Sequence, residues 1–214
     1  MRQETETRVI PWPSNRSDEA ADVLVDAFHD YPVMRHVIGE AGEDYDRRLD
    51  LLIGFFVAGR RLRGHPILGI EDGGRAVAVA TITPAGELEE PLELQSLRDA
   101  LWRELGAAAK GRMEALIAIW ERIAVRRPHY VLNMLGVRRS HAGQGLGRRL
   151  MDAVHGMSSR DPLSTGVSLS TEDPENVPLY EHCGYRVTNH QRVSDDMETW
   201  ILFREAGASE RKEI

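Results

Sequence analysis

The stretch HAGQGLGRRLMDAV, residues 141–154, decides how this chain is read. It follows an apolar run, Tyr130-Val131-Leu132-Asn133-Met134-Leu135-Gly136-Val137, whose length and composition predict a buried strand. It runs into a helical pattern with Leu146, Leu150, Met151, Val154 and Met157 on one face. A strand, a glycine-rich turn and a helix start present unpaired backbone N–H groups and the positive end of a helix. Gly143, Gly145 and Gly147 carry no Cβ to hold a ligand away from the backbone. An anion suits such a turn, and a phosphorylated cofactor is the expected occupant.

Three glycine-rich phosphate sites can be compared. A Walker-type loop ends in Gly-Lys-Ser/Thr, whereas here Arg148-Arg149 follow the last glycine. The dinucleotide fingerprint G-x-G-x-x-G opens a βαβ unit, whereas here the spacing is Gly143-x-Gly145-x-Gly147, well into the chain. The third pattern, Q/R-x-x-G-x-G/A between a strand and a helix, is the coenzyme A pyrophosphate loop of the GNAT superfamily of N-acetyltransferases. Leu135-Gly136-Val137 followed by His141-Ala142-Gly143-Gln144-Gly145-Leu146-Gly147 resembles that family. Ala142 stands where the family has Gln or Arg, so one side-chain contact to the coenzyme is missing. A tight strand-to-helix turn with no ligand is the plain alternative for the glycines.

Downstream, Gly166 to Ser170 reads as a second short strand and Val177 to Cys183 as a short helix, with Pro178 in its first turn and Gly184 past its end. Asn176-Val177-Pro178-Leu179-Tyr180-Glu181-His182-Cys183-Gly184-Tyr185 resembles the family's second coenzyme segment, N-x-x-x-Y-E-x-x-G-F/Y. The resemblance implies that Asn176 hydrogen-bonds the pantetheine arm and that Tyr180 donates a proton to the departing sulfur. A half-buried core tyrosine is the alternative for Tyr180. Cys183 reads as a small buried apolar residue rather than a nucleophile.

Bulk composition narrows the rest. The 214 residues are 42% hydrophobic and 29% charged, which fits a folded globular protein. The expectation is a single domain over 1–214, with a helical insertion at about 85–127 and a polar tail at about 205–214. One cysteine excludes an internal disulfide and suits a reducing, cytoplasmic location. No run is long enough to span a bilayer, and the polar MRQETETRVI start has no signal-peptide core. A net charge of −7 argues against nucleic acid as the main partner. The histidines show no metal-ligand spacing, so no metal is expected. Oligomeric state stays open, a homodimer included.

Along the chain, Arg8 to Ile10 reads as an edge strand. Ser17 reads as the cap of a helix that begins with Asp18 and Glu19 and turns Ala20, Leu24, Val25 and Phe28 inward, and His29-Asp30-Tyr31-Pro32 ends it. A second helical face carries Leu49, Leu52, Ile53, Phe56 and Val57, with Arg60, Arg61 and Arg63 at its C-terminal end. Ile67–Glu71 and Ala76–Thr83 form a hairpin across Asp72-Gly73-Gly74. The insertion is partly helical, with Met113, Leu116, Ile117, Trp120 and Ile123 on one face. Arg186–Val193 and Met197–Phe203 close the fold around a turn at Asp195-Asp196. The family order implies the GNAT fold, an α/β (α+β) architecture. Its mixed, mostly antiparallel central sheet has about six to seven strands flanked by helices.

Asp26-Ala27-Phe28-His29-Asp30-Tyr31-Pro32-Val33-Met34-Arg35-His36 is similar to the AF-x-DYP-x-x-RH stretch of the puromycin N-acetyltransferase branch of the family. That branch has Glu where this chain has Ser170. The resemblance implies acetyl-coenzyme A as donor and a small-molecule primary amine as acceptor, attacked directly with no acyl-enzyme. It implies coenzyme contacts from Leu135, Gly136, Val137, Gly143, Gln144, Gly145, Leu146, Gly147, Arg148, Asn176 and Tyr180. Arg138, Arg139 and Arg149 are further candidates for the coenzyme's phosphates. Tyr180 and Glu172 are the catalytic candidates, and Tyr31, His36 and His129 the acceptor-site candidates. Glu87, Glu89, Glu90 and Glu93 either favour a cationic amine or form a solvated charge run. The competing reading is a GNAT-fold protein that binds acyl-coenzyme A for sensing or structure, without turnover.

Overall fold

The computed structural model describes residues 8–86 and 90–207. In chain order the elements are β1 (Val9–Pro11), α1 (Ser17–Phe28), α2 (Pro32–Ile38), α3 (Tyr45–Leu62), β2 (Ile67–Asp72), β3 (Arg75–Thr83), α4 (Leu92–Ile123), β4 (Tyr130–Val137), α5 (Leu146–Arg160), β5 (Gly166–Thr171), α6 (Asn176–His182), β6 (Arg186–Ser194) and β7 (Met197–Glu205). One seven-stranded sheet runs β1-β2-β3-β4-β5-β7-β6, antiparallel throughout except where β4 meets β5. Gly73 and Gly74, both at positive φ, make the two-residue turn between β2 and β3.

Each face of the sheet carries its own apolar layer. On one side α1, α2, α3 and α4 bury Leu24, Val37, Leu49, Leu52, Ile53 and Leu116 against Val79 and Met134. On the other, α5 lays Leu146, Leu150, Met151 and Val154 over Ala80, Ile82, Leu132 and Val167, the face its spacing predicts. Removing a fully buried leucine from either layer forfeits about 2–5 kcal/mol.

Two features depart from the sequence reading. Pro32 does not merely end α1; it occupies the first position of a new helix, α2, where its missing N–H costs nothing. The insertion is α4, a pair of helical arms meeting at Gly106, whose φ of 83° and ψ of 166° break the hydrogen-bond ladder. Of the acidic run, Glu87 and Glu89 lie outside the described residues.

Candidate active site

The site begins with a defect in the sheet. Thr81 pairs with Met134 and Ile82 with Leu132, so Asn133 is an extra residue on β4. Its Oδ1 accepts a hydrogen bond from Thr83 Oγ1 at 2.8 Å. This bulge reverses which side chains face which layer. Before it, Tyr130 and Leu132 pack toward α5; after it, Leu135 and Val137 do, while Met134 joins the opposite core. The same stretch is where β4 and β5 part. They pair only at Tyr130–Val167 and Val131–Ser168, after which β5 continues against β7 alone. From Leu132 to Val137 the β5-facing edge of β4 has no strand partner. An extended ligand can lie there as an added half-strand.

Gly136 holds α1 close to that strand. A Cβ on Gly136 would sit 2.9 Å from Ala27 Cβ and 3.0 Å from Leu24 Cδ2. Packing, rather than ligand approach, is what glycine serves here. Beyond β4 a short helical turn (139–141) leads to Ala142, exposed like Gly143, Gln144 and Gly145. Gly143 and Gly145 adopt φ of 75° and 73°, a region that costs other residues about 1–2 kcal/mol. An added Cβ at either would meet nothing within 4 Å, so the demand is conformational. Gly147 packs under Leu135, its Cβ position 3.3 Å from Leu135 Cδ2. Helix α5 starts at buried Leu146 without a capping side chain, so its first amides and positive end face outward. Arg138 Nε donates to Ala76 O at 2.9 Å, and Arg139 is held by Asp26 and Asp30, so these two arginines serve the scaffold. Arg148 Nε reaches Asp152 at 3.1 Å along α5.

The parted strands open into a cavity of about 610 Å³. Its wall draws on Phe28 and Tyr31 from the first helical hairpin, Phe56 and Arg60 from α3, and Met113, Ile117 and Trp120 from α4. Asn133, Met134 and Leu135 of β4 face Ser168, Leu169 and Ser170 of β5, while Asn176 and Tyr180 enter from α6. His129, at the foot of β4, lines the cavity and packs edge-on against Phe203. His36 is not part of this wall; it lies on α2 near Arg112, outside the cavity. Glu90 is engaged by Arg63 and Arg98, and neither it nor Glu93 lines the cavity.

Glu172 is the cavity's buried acid, 5% exposed. Its Oε1 accepts from Thr199 Oγ1 at 2.6 Å and Trp120 Nε1 at 3.2 Å, and its Oε2 from Tyr31 Oη at 3.1 Å. Tyr31 Oη in turn accepts the Glu172 backbone N–H at 3.0 Å. Burial pushes the Glu172 carboxyl above the ordinary carboxylate range, against the opposing pull of the bonds from Thr199, Tyr31 and Trp120. Burial, aided by the Glu172 charge, raises both nearby phenols: Tyr31 well above its usual value and Tyr180 to about 12. A carboxyl raised by burial and a phenol that keeps its proton at neutral pH thus line the same cavity.

Trp120, Thr199 and Arg60 escape a site reading from sequence. Trp120 falls on the apolar face of α4, and its indole N–H, which needs a partner when buried, is the one signal that pointed further. Nothing local marks Thr199. No group of three or more side chains suited to a metal ion occurs among the described residues, and no helix among them is long and apolar enough to cross a membrane.

Residues 97–200 match the family model described as acetyltransferase (GNAT) domain. A histone acetyltransferase HPA2 and related acetyltransferase from Corynebacterium glutamicum superposes with a TM-score of 0.69 at 19% identity, over 95% of this chain and 98% of that one. The Drosophila melanogaster polyamine N-acetyltransferase gives 0.65 at 18% identity, over 92% and 98%. The Escherichia coli ribosomal-protein-S18-alanine N-acetyltransferase gives 0.56 at 12% identity, over 97% and 99%. These identities bear on the fold alone. The parted β4 and β5, the glycine turn between β4 and α5, and the solved structures that superpose over nearly the whole chain lead to one conclusion: this chain has the GNAT fold.

Proposed function

We propose that the protein transfers the acetyl group of acetyl-coenzyme A to a primary amine of a small molecule by direct attack. The observation that carries this is the unpaired β4 edge running from the cavity with Glu172 and Tyr180 to the bare N-terminus of α5. The fit to the coenzyme is good: an extended main-chain edge for pantetheine, with Asn176 beside it, and outward amides at residues 143–148 for the pyrophosphate. When bound, acetyl-coenzyme A supplies an activated thioester carbonyl. Leu135 and Val137 offer main-chain groups that orient it, and a β4 N–H stabilises negative charge on its oxygen. Glu172 takes the proton that the attacking amine loses, through the Tyr31 hydroxyl or a water molecule. Tyr180 keeps its proton at neutral pH and donates it to the departing sulfur.

Similarity to the puromycin N-acetyltransferase stretch supports Tyr31 as an acceptor-site residue, since Tyr31 lines the cavity. It does not extend to puromycin as the acceptor, because His36 of the same stretch lies outside the cavity and the resemblance is patchy in the insertion that supplies the α4 wall. Thiol release from acetyl-coenzyme A in the presence of a panel of primary amines tests the reading. Turnover that falls in Tyr180→Phe while coenzyme binding persists supports it. Coenzyme binding with no turnover on any amine would favour a non-catalytic acyl-coenzyme A binder.

A further inference from the structure

The last turn of α3 and the residue that follows it carry three arginines, Arg60, Arg61 and Arg63, in different surroundings. Arg63 reaches Glu90 at 3.7 Å, and Arg61 is exposed. Arg60 instead lines the cavity one helical turn beyond Phe56, on the same face of α3. It is half-buried, and its Nε is buried with no hydrogen-bond partner. Among the described residues no carboxylate forms an ion pair with it. Burial and the neighbouring Arg63 cation lower its guanidinium to about 10, so it stays charged at neutral pH. A helix C-terminus explains why a cation is tolerated here, but not why, half-buried and without an ion pair among the described residues, it faces the cavity. Glu172 does not neutralise it, being engaged with Tyr31, Trp120 and Thr199.

We propose that Arg60 is a specificity residue: the acceptor amine carries a carboxylate on an apolar body, and this carboxylate pairs with Arg60 while the amine lies toward Glu172. The inference rests on the amine-acceptor reading above and narrows it. A guanidinium offers two parallel N–H donors that match a carboxylate. One unpaired cation balances the single charge of a carboxylate better than the near-double charge of a phosphate monoester. Phe56, Met34 and Met113 supply the apolar surface for the body between the two polar ends. The Arg60 charge also disfavours diamines whose second ammonium would meet it.

The test compares 4-(aminomethyl)phenylacetate with 4-methylbenzylamine as acceptors for the full chain and for Arg60→Gln and Arg60→Lys. The carboxylate-bearing amine is expected to show a kcat/KM about 10–100-fold higher in the native protein, the range of a charge-assisted hydrogen bond. The preference, read as the ratio of the two kcat/KM values within each protein, should vanish in Arg60→Gln and survive in part in Arg60→Lys. Parity in the native protein, or a preference that persists in Arg60→Gln, overturns the proposal. A second measurement is independent of acetyl transfer: calorimetric binding of 4-methylphenylacetate, which has no amine. Binding weakened at least about tenfold by Arg60→Gln supports the carboxylate site even if no amine is acetylated, in which case only the transfer reading fails. Absence of Arg60-dependent binding overturns the carboxylate site whatever the turnover.

Discussion

The two halves of the site are built differently. The half assigned to the donor, β4 with the glycine turn and α5, is made of backbone: an unpaired strand edge, two left-handed glycines and the first turn of a helix. The half assigned to the acceptor is made of side chains that meet from distant segments. Tyr31 and Glu172 stand 141 residues apart in sequence, yet share two hydrogen bonds, and Trp120 arrives from an inserted helix. A backbone site is tuned by conformation and tolerates side-chain change; a side-chain site is tuned by identity. In this chain the first half therefore rests on conformation and the second on the identity of a few side chains.

The largest effect should come from the side-chain half. Glu172→Gln is expected to lower kcat by about 10²–10⁴-fold, the usual range for a lost general base. A base acts when deprotonated, and burial raises this carboxyl. Native activity should therefore rise with pH at values above those of an ordinary glutamate, and the variant should lose that limb. A kcat–pH profile decides it, because a purely structural Glu172 would lower the rate without reshaping the curve. Tyr180→Phe should cost about 10²-fold in kcat with coenzyme affinity little changed, as read by single-turnover kinetics and calorimetry. If affinity falls with the rate, Tyr180 belongs to the binding half instead.

The backbone half should respond to conformation alone. Gly145→Val puts a β-branched residue at φ 73° and should cost about 1–2 kcal/mol in stability and weaken coenzyme binding, whereas Gln144→Ala beside it should do neither. Equal responses to both would break the contrast drawn here. Gly136→Ala should destabilise by about 1–3 kcal/mol, since its Cβ has no room against Ala27 and Leu24. Outside both halves, buried His155 hydrogen-bonds Tyr185 at 2.9 Å, and burial, with Arg204 and Arg148 adding to it, lowers its imidazole to about 3. Its folded value lies below the unfolded one, so the stability it affects is present above about pH 6.5 and is lost as pH falls from there toward 3. The slope should be about 1.4 kcal/mol per pH unit, reduced in His155→Phe and measured by denaturant unfolding.

What the sequence discloses follows the same division. The β4 strand, the glycine turn, the apolar face of α5 and the β2–β3 hairpin are local patterns of period and turn chemistry, and all are legible. The Asn133 bulge is not, because an extra residue shows only against a partner strand. Helix α2 is hidden by Pro32, which reads equally as a stop or a start. Glu172 looks like a loop carboxylate until Tyr31, Trp120 and Thr199 close around it. Arg60 looks like an ordinary cation at a helix end until the cavity is seen beside it.

Thermal unfolding of the full chain with acetyl-coenzyme A, coenzyme A, ATP and NAD in parallel tests the central claim most directly. A ligand held by the native state alone, at about 100 times its Kd, adds about 2.7 kcal/mol. The account predicts a raised Tm with acetyl-coenzyme A and coenzyme A, and none with ATP or NAD. No rise with either coenzyme, or a rise with ATP or NAD alone, would contradict it.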